Sequence, residues 1–272
     1  MKLSSKEKQR LKNNYGEWAI VTGATSGIGR ELTVHLASAG FNIVIISRSL
    51  NDLQEFETYL KKYESVDVRI IAADVSEGSG IDKIIQGCID LNVGLLVASA
   101  GFGTSGKFID SDLNTEINML RVNCEALLHL CHHFSQKFVH QKRGGIILLS
   151  SMLAFQGTPY SANYGATKAY VLALAEALAI ELKPHGVDVL AAVPGPVESR
   201  FSARANMKMS MFMKPAQVGL PILKSLGRKS VILPGFLTKL LVYSLRFLPR
   251  QVRVKIMGVI MGGMTAHQRI NV

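Results

Sequence analysis

Residues 18–29 read WAIVTGATSGIG, and the fold turns on how this stretch is parsed. WAIVT is short, partly β-branched and apolar until its last residue, which reads as a buried strand. TGATSGIG, residues 22–29, then places glycine at 23, 27 and 29. Glycines there permit a tight turn and let the backbone approach a ligand closely. The helical segment that follows, 27–39, offers free N–H groups and a positive dipole end, a natural seat for a pyrophosphate. The spacing is G-x-x-x-G-x-G, one residue longer than the common dinucleotide fingerprint.

Outward from this turn, apolar runs alternate with helical stretches. NIVIIS (42–47), VRIIAA (68–73), GLLVAS (94–99), GIILLS (145–150), VDVLAAV (187–193) and SVIL (230–233) continue the strand series. Helices are expected over 27–39, 50–63, 79–91, 112–141, 162–183 and 215–226. Strands alternating with helices imply parallel βαβ units. The expected fold is α/β: a Rossmann-type doubly wound parallel sheet of about seven strands with helices on both faces. Residues 17–235 would form the dinucleotide-binding domain, with a substrate lid at 199–229. Residues 1–16 read as a basic extension and 236–272 as a basic amphipathic one.

The second strand ends at Arg48, 25 residues after Gly23. An acid here would bind the ribose 2′-hydroxyl of NAD; an arginine suits a 2′-phosphate, so NADP(H) is expected over NAD(H). Asp74 follows the third strand and has two readings, adenine partner or helix cap. The sequence also contains the commoner G-x-G-x-x-G pattern at Gly101, Gly103 and Gly106. No helix opens directly after Gly106, so this second pattern reads as a turn beside the cofactor.

SANYGATKAY, residues 161–170, puts Tyr164 four positions before Lys168. Side chains so spaced share a helix face. An ammonium there favours the phenolate and lowers the tyrosine pKa, making a proton donor. With seven Tyr in 272 residues, chance alone gives about 0.5 such pairs; the neighbours decide. TGATSGIG, Asp74, Asn123, Ser151, Tyr164-x-x-x-Lys168 and Pro194-Gly195 stand in the order, and Ser151 and Tyr164 at the spacing, of the short-chain dehydrogenase/reductase family. The chain resembles its single-domain branch over about residues 17–235, and is similar to its 3-ketoacyl and 17β-hydroxysteroid reductases.

The resemblance implies a catalytic set of Asn123, Ser151, Tyr164 and Lys168. Tyr164 would supply the proton, Lys168 would lower its pKa and hold the nicotinamide ribose, Ser151 would stabilise the developing oxyanion, and Asn123 would anchor a relay water. Cofactor contacts are expected at Gly23, Ser26, Gly27, Ile28, Gly29, Arg48, Asp74, Val75, Ala100, Tyr164, Lys168 and Val197. Where the family often has N-N-A-G, this chain has Ala98-Ser99-Ala100-Gly101, which predicts weaker hydrogen bonding around the central strand. After Pro194-Gly195, Ser199 keeps the hydroxyl that the family often places on a threonine.

Composition narrows the remaining classes. Cys88, Cys124 and Cys131 form no C-x-x-C pair, so a reducing, cytoplasmic setting is expected. His129, His132 and His133 with Cys131 crowd nearly all sides of one helix, which argues against a shared metal. The net charge of +11 is localised: residues 199–272 hold 13 Lys and Arg and no acid, leaving 18 basic against 20 acidic side chains before them. No aromatic stacking platform accompanies the charge, so no nucleic acid is expected. No uncharged stretch of the tail is long enough to span a membrane.

MKMSMFM places Met207, Met209, Met211 and Met213 at alternate positions. That reads either as an adaptable wall for an apolar carbonyl or alcohol substrate or as an unspecialised loop. The basic tail has three readings: a helix lying on an anionic membrane, a dock for an acidic acyl carrier, or a cover for a dimer or pocket. Two functions compete: an NADPH-dependent carbonyl reductase, expected as a homodimer or homotetramer, and a catalytically quiet scaffold of the same fold.

Overall fold

The computed structural model describes residues 2–208 and 212–269, the side chain of Arg269 excepted. Met209 and Met211 lie outside the described residues. Seven strands pair in the order β3-β2-β1-β4-β5-β6-β7. They are β1 (Trp18–Thr22), β2 (Asn42–Ser47), β3 (Val68–Ala72), β4 (Val93–Ala98), β5 (Gly144–Leu149), β6 (Val187–Ala192) and β7 (Val231–Ile232). Every pairing is parallel, as the alternation of strands and helices requires.

The strands read as unbroken apolar runs because both faces are covered. Side chains alternate between two cores with the period of two that a strand imposes. Ala19, Val21, Ile43, Ile45, Leu95 and Val97 enter one core; Ile20, Val44, Ile46, Leu96 and Ala98 enter the other. The first core is closed by α2 (Gly27–Ser38), α3 (Leu50–Tyr63) and α9 (Pro215–Ser225). The second is closed by α4 (Gly78–Gln86), α6 (Ala126–Gln141) and α7 (Ala162–Glu181). Strand order reverses between β1 and β4, so the carboxyl ends of these two strands part to form the crevice where such sheets bind ligands.

Three features depart from the sequence reading. Residues 5–15, set apart as part of a basic extension, form α1 (Ser5–Tyr15), capped by Ser4, with Leu11 and Tyr15 buried. This helix seals the amino ends of the strands. Tyr15 donates its hydroxyl to Asp188 Oδ2 at 2.8 Å, and Arg10 donates to the Leu223 and Leu226 carbonyls at the end of α9. The approach is so close that a Cβ on Gly94 would land on the Tyr15 carbonyl oxygen, and one on Gly145 would meet the Tyr15 ring at 2.9 Å.

The long helix expected over 112–141 is interrupted. A π-helical turn at Arg121–Glu125 separates α5 (Leu113–Leu120) from α6, and Asn123 sits in it. Such turns insert an extra residue and re-aim a side chain, often at functional sites. Third, the chain beyond β6 adds helices: α8 (Arg200–Arg204) in the expected lid, then α10 (Phe236–Arg246) and α11 (Arg250–Met264) in the tail. Met257 and Met261 of α11 bury themselves with Ala205 and Met207, against Phe201 and Leu245.

Packing of α1 on the sheet yields a direct check. Gly94→Ala forces a methyl into backbone and should destabilise by about 1–3 kcal/mol. Gly263→Ala, at a helical glycine with nothing within 4 Å of the added Cβ, should be neutral or stabilise by up to about 1 kcal/mol. Denaturant unfolding of the two variants reads the difference.

Candidate active site

The glycine turn is shaped for a phosphate. Gly23 and Gly27 have φ of 65° and 53°, a region that favours glycine. Gly29 lies beneath the turn rather than on its surface: a Cβ there would strike the Gly23 carbonyl and stand 2.9 Å from Ser99 Oγ. Ser26, the N-cap of α2, makes no side-chain capping bond. The first-turn N–H groups of α2 therefore keep their outward donors, and the Ser199 side chain stands beside them, its Cβ 3.0 Å from where a Cβ on Gly27 would lie. That cradle fits a dinucleotide pyrophosphate.

Thr22 ties the crevice together. Its Oγ1 accepts from the Ser99 and Ala100 N–H groups at 3.1 and 3.0 Å, joining the carboxyl ends of β1 and β4. The weaker bonding expected from the missing asparagines is offset at this point by a threonine hydroxyl that sequence reading overlooked.

A cavity of about 650 Å³ runs from the glycine turn to the tail helices. Gly23, Ser26, Gly27, Ile28, Arg48, Asp74, Val75, Ala100, Ser151, Tyr164, Lys168 and Val197 all line it, whereas Gly29 and Asn123 stand behind its wall. Arg48 and Asp74 meet at one end, Nη1 to Oδ2 3.8 Å apart, with the Arg48 side chain 59% exposed. Of the two readings of Asp74, the structure bears on the helix cap, which Asp74 does not form. Its Oδ1 accepts from the Ser76 N–H and hydroxyl at 2.9 and 2.8 Å, while Glu77 is the N-cap of α4. Two lid residues were missed. Arg204 holds its guanidinium carbon 3.9 Å from the Phe102 ring centroid, and Phe201 packs on Tyr164 with centroids 5.1 Å apart. Burial, then the charge of Arg48, push the Arg204 pKa below the usual arginine value. The lid was legible as a segment, but nothing in its spacing singled out these side chains.

The three proton-handling groups come from two elements. Ser151 follows β5, while Tyr164 and Lys168 occupy the first two turns of α7, and all three are buried. Lys168 Nζ lies 5.8 Å from the Tyr164 ring centroid and donates to the Leu149 carbonyl at 2.8 Å. Ser150 Oγ answers with a 2.8 Å bond to the Lys168 carbonyl. Gly101 makes room: a Cβ there would stand 3.4 Å from Lys168 Nζ and 3.0 Å from Asn123 Oδ1.

One expectation changes here. Lys168 was expected to depress the Tyr164 pKa. Instead burial dominates and raises the phenol to about 12, with a hydrogen bond from Ser151 pulling the other way. Burial likewise pushes Lys168 down to about 8. Asn123 was expected to anchor a water. Its Nδ2 donates to the Phe102 carbonyl at 2.8 Å and to Thr167 Oγ1 at 3.0 Å, and its Oδ1 accepts the Phe102 N–H at 3.1 Å. Both amide hydrogens are occupied, so Asn123 clamps the loop after β4 to α7. Among the described residues no cluster of three or more His, Cys, Asp or Glu is arranged to hold a metal.

The short chain dehydrogenase family model matches residues 17–210. A 7beta-hydroxysteroid dehydrogenase of Mediterraneibacter gnavus is 34% identical over 66% of this chain and 68% of its own. A very-long-chain 3-oxoacyl-CoA reductase-like protein of Arabidopsis thaliana is 36% identical over 77% of this chain and 69% of its own. A solved structure described for 7beta-hydroxysteroid dehydrogenase stereoselectivity superposes with a TM-score of 0.85 at 26% identity, covering 91% of this chain and 99% of that one. A glycine turn at the switch point, a buried Ser-Tyr-Lys group beside it and a family model matching well over half the length agree: the chain is an oxidoreductase belonging to the short-chain dehydrogenase family.

Proposed function

We propose that the protein reduces a bulky apolar ketone to a secondary alcohol with NADP(H). The observation that carries this reading is the placing of Ser151, Tyr164 and Lys168 in one wall of a single cavity. That cavity begins at a phosphate-shaped turn and ends among Met207, Met257, Met261 and Met264. Methionine is polarizable and unbranched, and adapts to irregular apolar ligands. The names of two relatives specify a 7beta-hydroxysteroid and a very-long-chain 3-oxoacyl-CoA, both with large apolar bodies.

The bound dinucleotide supplies a hydride. The chain's own residues do the rest. The glycine turn and the α2 terminus seat the pyrophosphate. Arg48, with Arg204 across the cleft, offers guanidinium charge to a 2′-phosphate, the basis for preferring NADP(H). The Ser151 hydroxyl donates to the substrate oxygen, and the Tyr164 phenol delivers the proton. A phenol that burial raises to about 12 is protonated at neutral pH, so it meets the substrate with a proton to give. Lys168 places a cation beside the phenolate as it forms. In this reading the enzyme works as a homodimer or homotetramer.

Three tests separate the roles. Tyr164→Phe should lower kcat by about 10²–10⁴-fold or more while NADPH affinity, read by fluorescence titration, stays within a few-fold; wild-type turnover in this variant contradicts the assignment. Arg48→Gln should cut the NADPH:NADH ratio of kcat/KM by about tenfold or more; an unchanged ratio removes Arg48 as the phosphate reader.

The third test is thermodynamic. With its folded pKa near 8 and an ordinary value of 10.5, Lys168 binds fewer protons folded than unfolded between those pH values. Wild-type stability without cofactor should therefore gain from this group as pH rises through that window. Lys168→Met lacks the gain. Its stability relative to wild type should fall by on the order of 3 kcal/mol from pH 7 to pH 10.5, as read by urea unfolding; a pH-independent difference contradicts the burial argument.

A further inference from the structure

The α10–α11 pair has two apolar faces, and the molecule uses one. Inward, Leu241, Leu245, Met257 and Met261 line the cavity. Outward, α10 and its C-cap residue present Phe236, Leu240, Tyr243 and Phe247, spaced by four, three and four residues. That spacing sets them on one stripe of the helix, opposite Leu241 and Leu245. Their exposures are 81%, 51%, 50% and 90%. Val259 of α11 adds another exposed apolar side chain, and Ile260 is exposed while also lining the cavity. A contiguous exposed apolar surface of this kind marks an interaction site.

Charge selects the occupant. Lys239 and Arg246 lie seven residues apart along one flank of the stripe, both exposed, and Arg250 and Lys255 extend the basic field onto α11. No Asp or Glu follows Glu198 in the sequence. A second copy docked two-fold through this face would set these cations against their own counterparts with no acid in the segment to pair them. An acidic protein would answer the charge, but would also need an apolar strip matched to this one. An anionic lipid surface answers both: aromatic and leucine side chains enter the acyl boundary while the cations meet phosphate headgroups. None of the helices among the described residues is long and apolar enough to cross a membrane.

We propose that the outer face of α10–α11 lies in the plane of an anionic lipid surface. Because the same helices roof the cavity, docking would bring the apolar end of the site against the bilayer, where an apolar ketone dissolves. This last step rests on the reading of the cavity as a ketone site; lipid binding itself does not.

The test is vesicle flotation of the full chain without cofactor or substrate, so its outcome is independent of the chemistry. Phosphatidylcholine vesicles with and without phosphatidylserine are compared at low and high salt. The variants are Phe236→Ser with Phe247→Ser, and Lys239→Glu with Arg246→Glu, all exposed positions outside the cavity wall. Wild type should float with phosphatidylserine vesicles at low salt, less at high salt and poorly with phosphatidylcholine alone. Each double variant should lower partitioning by about tenfold or more while thermal melting and NADPH oxidation in lipid-free buffer stay unchanged. No flotation at low salt, or flotation that neither variant lowers, overturns the proposal. So does a face that binds an acidic acyl carrier protein or a second copy, seen by sedimentation, while leaving vesicles alone.

Discussion

The active site depends on a reciprocal pair of bonds between the end of β5 and the second turn of α7. Lys168 Nζ donates to the Leu149 carbonyl and Ser150 Oγ donates to the Lys168 carbonyl, each at 2.8 Å. These bonds fix the rotation of α7 about its axis. Tyr164, one turn earlier, is thereby aimed toward Ser151 on the strand's own extension. The bonds lie in a buried setting, where a hydrogen bond is electrostatically stronger and an unpaired partner costs more. Asn123 and Thr167 hold the same helix from the other side, through the π-helical turn. The site is thus held by a rigid strand and two helices rather than by loops, the arrangement that gives the most precise positioning.

Burial carries a cost that function explains. An ammonium with a pKa near 8 and a phenol near 12 are both displaced in the direction that disfavours charge. Strain of this kind persists where the surrounding packing over-determines it, and active sites are where it collects. Gly101 belongs to the same economy of space, because any side chain there would crowd Lys168 and Asn123.

Much of this was legible in the sequence. The seven apolar runs follow from periodicity, and they pair as one parallel sheet; the glycine turn and the Tyr-Lys spacing were read from what a dinucleotide demands, and both border one cavity. The rest was hidden for physical reasons. Helix α1 shows only Leu11 and Tyr15 to the core beneath a highly charged exterior, so its pattern reads as an extension. The acidity of Tyr164 depends on desolvation, which is a property of the folded surroundings and not of residue spacing. Asn123 and Thr22 act through main-chain partners distant in sequence, and nothing local marks them. Arg204 and Phe201 reach the cleft only because the chain after β6 folds back across it. The tail read as amphipathic, but only the fold separates its cavity-facing residues from its outward stripe.

Proton delivery by Tyr164 has meaning only if the bound dinucleotide gives up its hydride to a carbonyl carbon in this cavity. The most direct measurement supplies NADPH deuterated at the transferable position of the nicotinamide, together with a panel of bulky apolar ketones, and analyses the products by mass spectrometry. The account predicts a secondary alcohol carrying one deuterium on the former carbonyl carbon, with matching oxidation of the cofactor. Cofactor that stays bound and reduced, with no labelled alcohol from any ketone at stoichiometric enzyme, would contradict it.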